Sequence, residues 1–107
     1  MEKNMDIQHI RYFVEVAKCR SFSKAAQNLF VTQPILTRCI KNMEKELGVF
    51  LIIRSTRSFV LTEAGEELLR RGSQLVEQYE DIFRHIQASI CHGLLLQVLM
   101  PRLLSRI

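Results

Sequence analysis

Apolar positions along the chain fall into helical stripes interrupted once by a short extended stretch. Asp6 can cap a first helix, in which Ile10, Phe13, Val14 and Ala17 make an i, i+3, i+4, i+7 face. Lys18, Cys19 and Arg20 put cations near its end, and Ser21 with Phe22 reads as a turn that inserts Phe22 into the core. Ser23 is the expected N-cap of a second helix with Ala25, Ala26 and Leu29 on one side. After Phe30 and Val31, Thr32 can cap a third helix with Pro34 in its first turn, where a missing N–H costs nothing. Gly48 fits the C′ position that closes it.

That third helix divides into two faces. Leu36, Ile40, Met43 and Leu47 lie at i, i+4, i+7 and i+11, and Gln33, Thr37, Arg38 and Lys41 lie opposite. The polar face carries an amide, a hydroxyl and two cations without a carboxylate, a donor-rich set suited to phosphate oxygens and to the acceptor edges of bases. Two tightly linked helices with such a face match a helix-turn-helix; the alternative is a solvated face on an ordinary helical hairpin.

Residues 49–53 are an unbroken apolar run with three β-branched members, which predicts a strand. The polar stretch from Arg54 to Ser58 and the return through Phe59, Val60 and Leu61 make a hairpin with Arg54 and Arg57 near its tip. Beside a reading helix, such a wing would set Arg57 against phosphates or into a narrow minor groove; otherwise it is a plain exposed hairpin. From Thr62, a cap followed by Glu63, Glu66 and Glu67, the pattern is one long helix with no proline before Pro101. Taken through residue 88 it spans about 39 Å. Leu68, Leu75 and Ile82 recur every seven positions, Gly72, Tyr79 and Ile86 fall between them, and Leu69, Val76 and Phe83 widen the stripe. One small domain covers so broad a face poorly, so it predicts pairing with another copy. Gly72 either allows close approach of two backbones or weakens its turn.

Composition adds a charge asymmetry. The 107 residues are 48% hydrophobic and 24% charged, which allows one small core and an appendage. The net charge of +4 sits in the first part: residues 1–62 hold ten Lys/Arg against five Asp/Glu, whereas 63–107 hold five against six. The basic part is the candidate for a polyanion such as duplex DNA. Cys19, Cys39 and Cys91 form no C-x-x-C pair, and with no leader-like opening a reducing cytoplasm is expected. No metal site is expected, because Cys91 and His92 lack two further ligands at coordinated spacing. The run at 94–100 is too short to cross a membrane. Ser21 and Lys24 match S-x-x-K, but the companion S-D-N and K-T-G elements are absent, so no catalytic role is assigned.

The stretch SFSKAAQNLFVTQPILTRCIKNMEKELGVFLIIR with the following LTEAGEELL resembles the N-terminal DNA-binding domain of LysR-type bacterial transcriptional regulators. The likeness runs from about Met5 through the helix after Leu61. It rests on Ser21 and Phe22, Ala25 and Ala26, Gln33 and Pro34, Glu44, Leu47 and Gly48, Arg54, and the spacing of Leu61 and Thr62 to Gly65. The resemblance implies a mainly α fold: a winged helix-turn-helix of three helices and a two-stranded wing over 5–62, then a long dimerisation helix over 63–89, with 90–107 a short tail. It implies a sequence-specific DNA-binding regulator without catalysis, cofactor or small-molecule effector. Its linker helices pair antiparallel, and its wing approaches the DNA backbone, with Arg54 and Arg57 at the family's arginine positions.

The expected DNA-binding set is Ser23, Thr32, Gln33, Pro34, Thr37, Arg38, Lys41, Arg54 and Arg57, with Gln33, Thr37 and Arg38 at bases or in the groove and Lys41, Arg54 and Arg57 at phosphates. The expected dimerisation set is Leu68, Leu75, Tyr79, Ile82, Phe83 and Ile86. A homodimer is the first expectation; the rival is an interaction module that pairs with a longer relative and blocks its DNA binding. Ile35, Cys39, Phe50 and Ile52 depart from the family pattern, and Cys39 is either a packed small hydrophobe or an exposed thiol. Residues 93–100 resemble at most the opening strand of the family's effector domain.

Overall fold

Local capping chemistry sets the helix boundaries in the computed structural model, which describes residues 5–99, with side-chain surroundings through Ile90. The expectations for residues 1–4 and for the tail from 100 to 107 lie outside the described residues, as do the side chains of Cys91 and His92. Helix α1 (Ile7–Cys19) opens on Asp6, whose Oδ1 accepts from the His9 backbone N–H at 3.1 Å while His9 Nδ1 accepts from the Asp6 N–H at 3.3 Å. This is a capping box with histidine in the place of glutamate. Its buried face is Phe13, Val14, Val16 and Ala17, one residue wider than the stripe read from spacing.

Helix α2 (Phe22–Leu29) starts earlier than expected. Ser21 is the cap: its backbone is extended and its Oγ accepts from the Lys24 N–H at 3.1 Å. Ser23 is therefore the second residue of the helix and not its cap. The reason is Phe22, which is buried and takes helical backbone geometry to reach the core beside Ala25 and Ala26. Helix α3 (Gln33–Leu47) has Thr32 at its cap position, but the hydroxyl makes no capping bond. Leu36, Ile40 and Met43 are buried as expected, whereas Leu47, on the same side, is 44% exposed because the core ends one turn earlier. Gly48 closes α3 at φ 73°, its N–H bonded to Glu44 O at 2.8 Å.

The strand expected over 49–53 is shifted. Strand β1 (Ile52–Arg54) pairs antiparallel with β2 (Phe59–Leu61) in the register Ile52 to Leu61, Ile53 to Val60 and Arg54 to Phe59. Residues 49–51 are diverted by side chains: Glu44 Oε2 takes the N–H groups of Leu51 and Ile52 at 2.8 and 3.2 Å, and Thr62 Oγ1 donates to Phe50 O at 2.6 Å. Leu51 is thereby driven into the core, and Val49 and Phe50 stay at the surface.

Helix α4 (Glu63–Leu99) begins at Thr62, whose Oγ1 accepts from the Gly65 N–H at 3.0 Å. Gly65 lies so close to the backbone of Leu51 that an added Cβ would stand 2.2 Å from Leu51 O. The helix continues to Leu99, which replaces the strand expected from residue 93. The described residues fall into two units, the first through Val76 and the second from Glu77.

In the first unit the start of α4 packs on the helical core: Leu68 and Leu69 are half-buried against it, and a Cβ on Gly72 would meet Ile10 Cγ2 at 2.9 Å and Val14 Cγ2 at 3.2 Å. Leu68 and Gly72 thus face their own domain, and the close approach at Gly72 is to α1. In the second unit Tyr79 and Phe83 meet edge to face with centroids 5.1 Å apart, and Ile82, Phe83 and Ile86 are each about half exposed.

Candidate nucleic-acid interface

The outer face of α3 is built by the side chains that its inner face leaves over. Gln33, Pro34, Thr37, Arg38 and Lys41 line one shallow groove together with Asn42, and no carboxylate borders it. Thr37 is half-buried and the others are exposed. A second recess lies between the start of α2 and the wing, lined by Ser21, Ser23, Gln33, Arg54 and Arg57 with the hydroxyls of Ser55, Thr56 and Ser58. Gln33 belongs to both, so the first turn of α3 is the point where helix face and wing join. A third groove carries Thr37 and Lys41 across to Arg54 over Phe22, Ile40 and Ile52. Glu44 also borders it, but that carboxylate accepts the two backbone N–H groups of Leu51 and Ile52.

Eight of the nine DNA-binding candidates therefore line linked grooves, and the ninth, Thr32, heads α3 with its side chain exposed. The wing itself is a short hairpin in which Ser55 and Ser58 exchange backbone hydrogen bonds at 3.0 and 3.4 Å, leaving Thr56 and Arg57 at the tip. Arg54 is exposed, with its guanidinium carbon 4.3 Å from the Phe22 ring centroid. Cys39 is half-buried against the core, where burial first, and Asp6 second, pushes its thiol up to about 11; of the two readings of this residue, the packed small hydrophobe is correct. Asn42 was missed by the sequence reading, although its place four residues after Arg38 puts it on the same face. Ser21 and the wing hydroxyls were missed as well, because nothing local sets them beside Gln33.

A family model described as bacterial regulatory helix-turn-helix protein, lysR family, matches residues 7–66. The chain belongs to the LysR family. HTH-type transcriptional regulator BudR of Raoultella terrigena is 36% identical over 97 residues, an alignment covering 84% of this chain and 33% of that regulator. The Hca operon transcriptional activator HcaR of Escherichia coli is 40% identical over 77 residues, 72% of this chain and 26% of the activator. The chain spans a third or less of the length of these two relatives. Among solved structures, the complex of the BenM DNA-binding domain with catB site 1 DNA has a TM-score of 0.75 at 34% identity, covering 80% of this chain and 97% of that one.

The LysR chain is a winged helix-turn-helix followed by a long helix, as the resemblance implied, and its relatives are transcriptional regulators. Among the described residues no helix is long and apolar enough to cross a membrane, and no three His, Cys, Asp or Glu side chains gather as a metal site would require.

Proposed function

We propose that this LysR-family chain is a sequence-specific regulator that binds duplex DNA as a dimer, with α3 in the major groove and the wing on the flanking backbone. Gln33, Thr37 and Arg38 read base edges. Lys41, Arg54 and Arg57 meet phosphates, Ser23 and Thr32 add hydroxyl donors at the heads of α2 and α3, and Pro34 fixes the first turn that carries Gln33. The observation that carries this reading is the continuous donor-rich surface in which Gln33 lines both the helix groove and the wing recess. The likeness to a domain crystallised with DNA supports it.

Pairing runs through α4, where Leu75, Tyr79, Ile82, Phe83 and Ile86 leave an apolar stripe between 36% and 56% exposed. Leu68 drops out of that seam because it is spent on its own core. The same exposed stripe favours the second reading, a module that pairs with a longer relative and silences it.

Fluorescence anisotropy on duplexes selected from a random pool tests the reading. Affinity should fall steeply with salt by counterion release, Arg57→Ala should weaken all sequences alike, and Gln33→Ala should cost about 1–3 kcal/mol mainly on the preferred site. Equal loss on preferred and random DNA for Gln33→Ala would overturn the readout assignment, and no duplex binding by the chain alone would favour the pairing module. Ile82→Asp buries an unpaired carboxylate in the seam and should give a monomer by sedimentation. A wild type already monomeric at tens of micromolar, roughly −6 kcal/mol of association, would refute the dimer.

A further inference from the structure

Arg20 ends α1 at φ 53°, a left-handed geometry that favours glycine and that an L side chain adopts only with strain. Capping gives no reason for a guanidinium there. Yet Arg20 Nη2 donates to the Phe59 carbonyl oxygen at 2.6 Å across 39 residues of chain, and its Cζ lies 5.5 Å from the centroid of the Phe59 ring. The Phe59 ring meets the Phe22 ring at 6.2 Å and 59°, and the Arg54 guanidinium covers Phe22 in turn. Arg54 and Phe59 are direct partners across the wing. Two aromatic rings are thus held between two cations, and the circuit closes through the hairpin itself.

The carbonyl that Arg20 takes is available for a geometric reason. Ser55 and Ser58 exchange both of their backbone bonds, so the next pair, Arg54 and Phe59, is the one that does not. The Phe59 carbonyl then points out of the ladder, toward the helical body. A two-stranded hairpin of three residues a side is marginal alone, so its direction must come from such an anchor. Phe59 follows the tip directly, and where it is held decides where Arg57 points.

We infer that Arg20 is a positioning residue for the wing: it aims the hairpin so that Arg57 reaches the DNA backbone, and it does so without touching DNA. The inference rests on the DNA-binding reading above and deepens it.

The test uses the full chain, the preferred duplex, and the variants Arg20→Gly, Arg20→Lys, Arg57→Ala and Arg20→Gly with Arg57→Ala. Arg20→Gly relieves the left-handed strain, so its thermal midpoint should equal or exceed that of the wild type. Its DNA affinity should nevertheless fall about tenfold with a shallower salt dependence, as when one or two phosphate contacts are lost. Arg20→Lys keeps the charge but not the planar fork and should bind as poorly as Arg20→Gly. In the Arg57→Ala background, Arg20→Gly should cost less than about twofold, because the contact through which it acts is already gone. Without DNA, the amides of 52–61 should exchange faster in Arg20→Gly than in the wild type.

Full affinity in Arg20→Lys, an undiminished tenfold loss in the Arg57→Ala background, or unchanged wing exchange would each overturn the inference. Failure of the wild type to bind duplex would sink the DNA reading instead, and the exchange measurement would still report on the anchor.

Discussion

Replacing Gly65 with alanine places a methyl group where the structure has no room for one. The new Cβ would lie 2.2 Å from Leu51 O, 3.1 Å from Leu51 C and 3.4 Å from Leu51 Cα, whereas carbon and carbonyl oxygen normally stay about 3.3 Å or more apart. Either the first turn of α4 or the backbone at Leu51 must move by about 1 Å, the difference between those contacts. Neither is free to move. Leu51 O accepts from the Thr62 N–H at 3.0 Å, Leu51 N is held by Glu44, and the Leu51 side chain is fully buried. Helix propensity favours alanine by about 1 kcal/mol. Against it stand about 1–3 kcal/mol of overpacking and roughly 0.5–1.5 kcal/mol for the Thr62 bond that the shift weakens. The net expectation is a loss of about 1–3 kcal/mol, or a midpoint lowered by roughly 5–20 °C in a domain of this size.

The assay is urea and thermal denaturation by far-ultraviolet circular dichroism at one fixed protein concentration, since pairing would otherwise shift the midpoint. Gly72→Ala is the internal control. Its Cβ would meet only the methyl groups of Ile10 and Val14, side chains able to give by a few tenths of an ångström, so the change should stay within about 1 kcal/mol. Gly65→Ala unfolding at or above the wild-type midpoint would refute the reasoning, as would the two substitutions costing the same.

Glu44→Ala leaves the buried Leu51 N–H without its carboxylate and should cost about 1.5–3 kcal/mol of stability while preserving the ratio of preferred to random DNA binding; a lost ratio would mean that Glu44 shapes the reading surface directly. Cys39, its thiol pushed up to about 11 from the ordinary 9.0, should alkylate at pH 8 about a hundredfold more slowly than an unfolded thiol, and equal rates before and after denaturation would contradict its burial. The sign for stability follows from proton binding. Above pH 9 the folded state keeps a proton that the unfolded state has lost, so stability should decline as pH rises from 9 toward 11, and Cys39→Ala should lessen that decline relative to wild type.

What the sequence determined by itself was everything written within a few residues: the helical stripes of α1 to α3, the Gly48 stop, the Thr62 cap and the polar outer face of α3. These signals are legible because hydrogen bonds from i to i+4 and side-chain periodicity act over one or two turns. Where two local signals compete, tertiary contact chose. Both Ser21 and Ser23 are good caps, and burial of Phe22 selected Ser21. The apolar run at 49–53 has strand composition throughout, but a carboxylate seven residues before Leu51 and a hydroxyl twelve after Phe50 moved the ladder to Ile52.

The repeat of Leu68, Gly72 and Leu75 along α4 shows an apolar face without saying what lies across from it. Packing assigned Leu68 and Gly72 to the chain's own core and left Leu75 and the residues beyond exposed. The surface shared by Gln33, Ser23 and Arg57 likewise exists only once the wing is folded back, held by Arg20 on Phe59 from 39 residues away. Periodicity sets which side of an element is apolar; only the closed chain sets what that side meets.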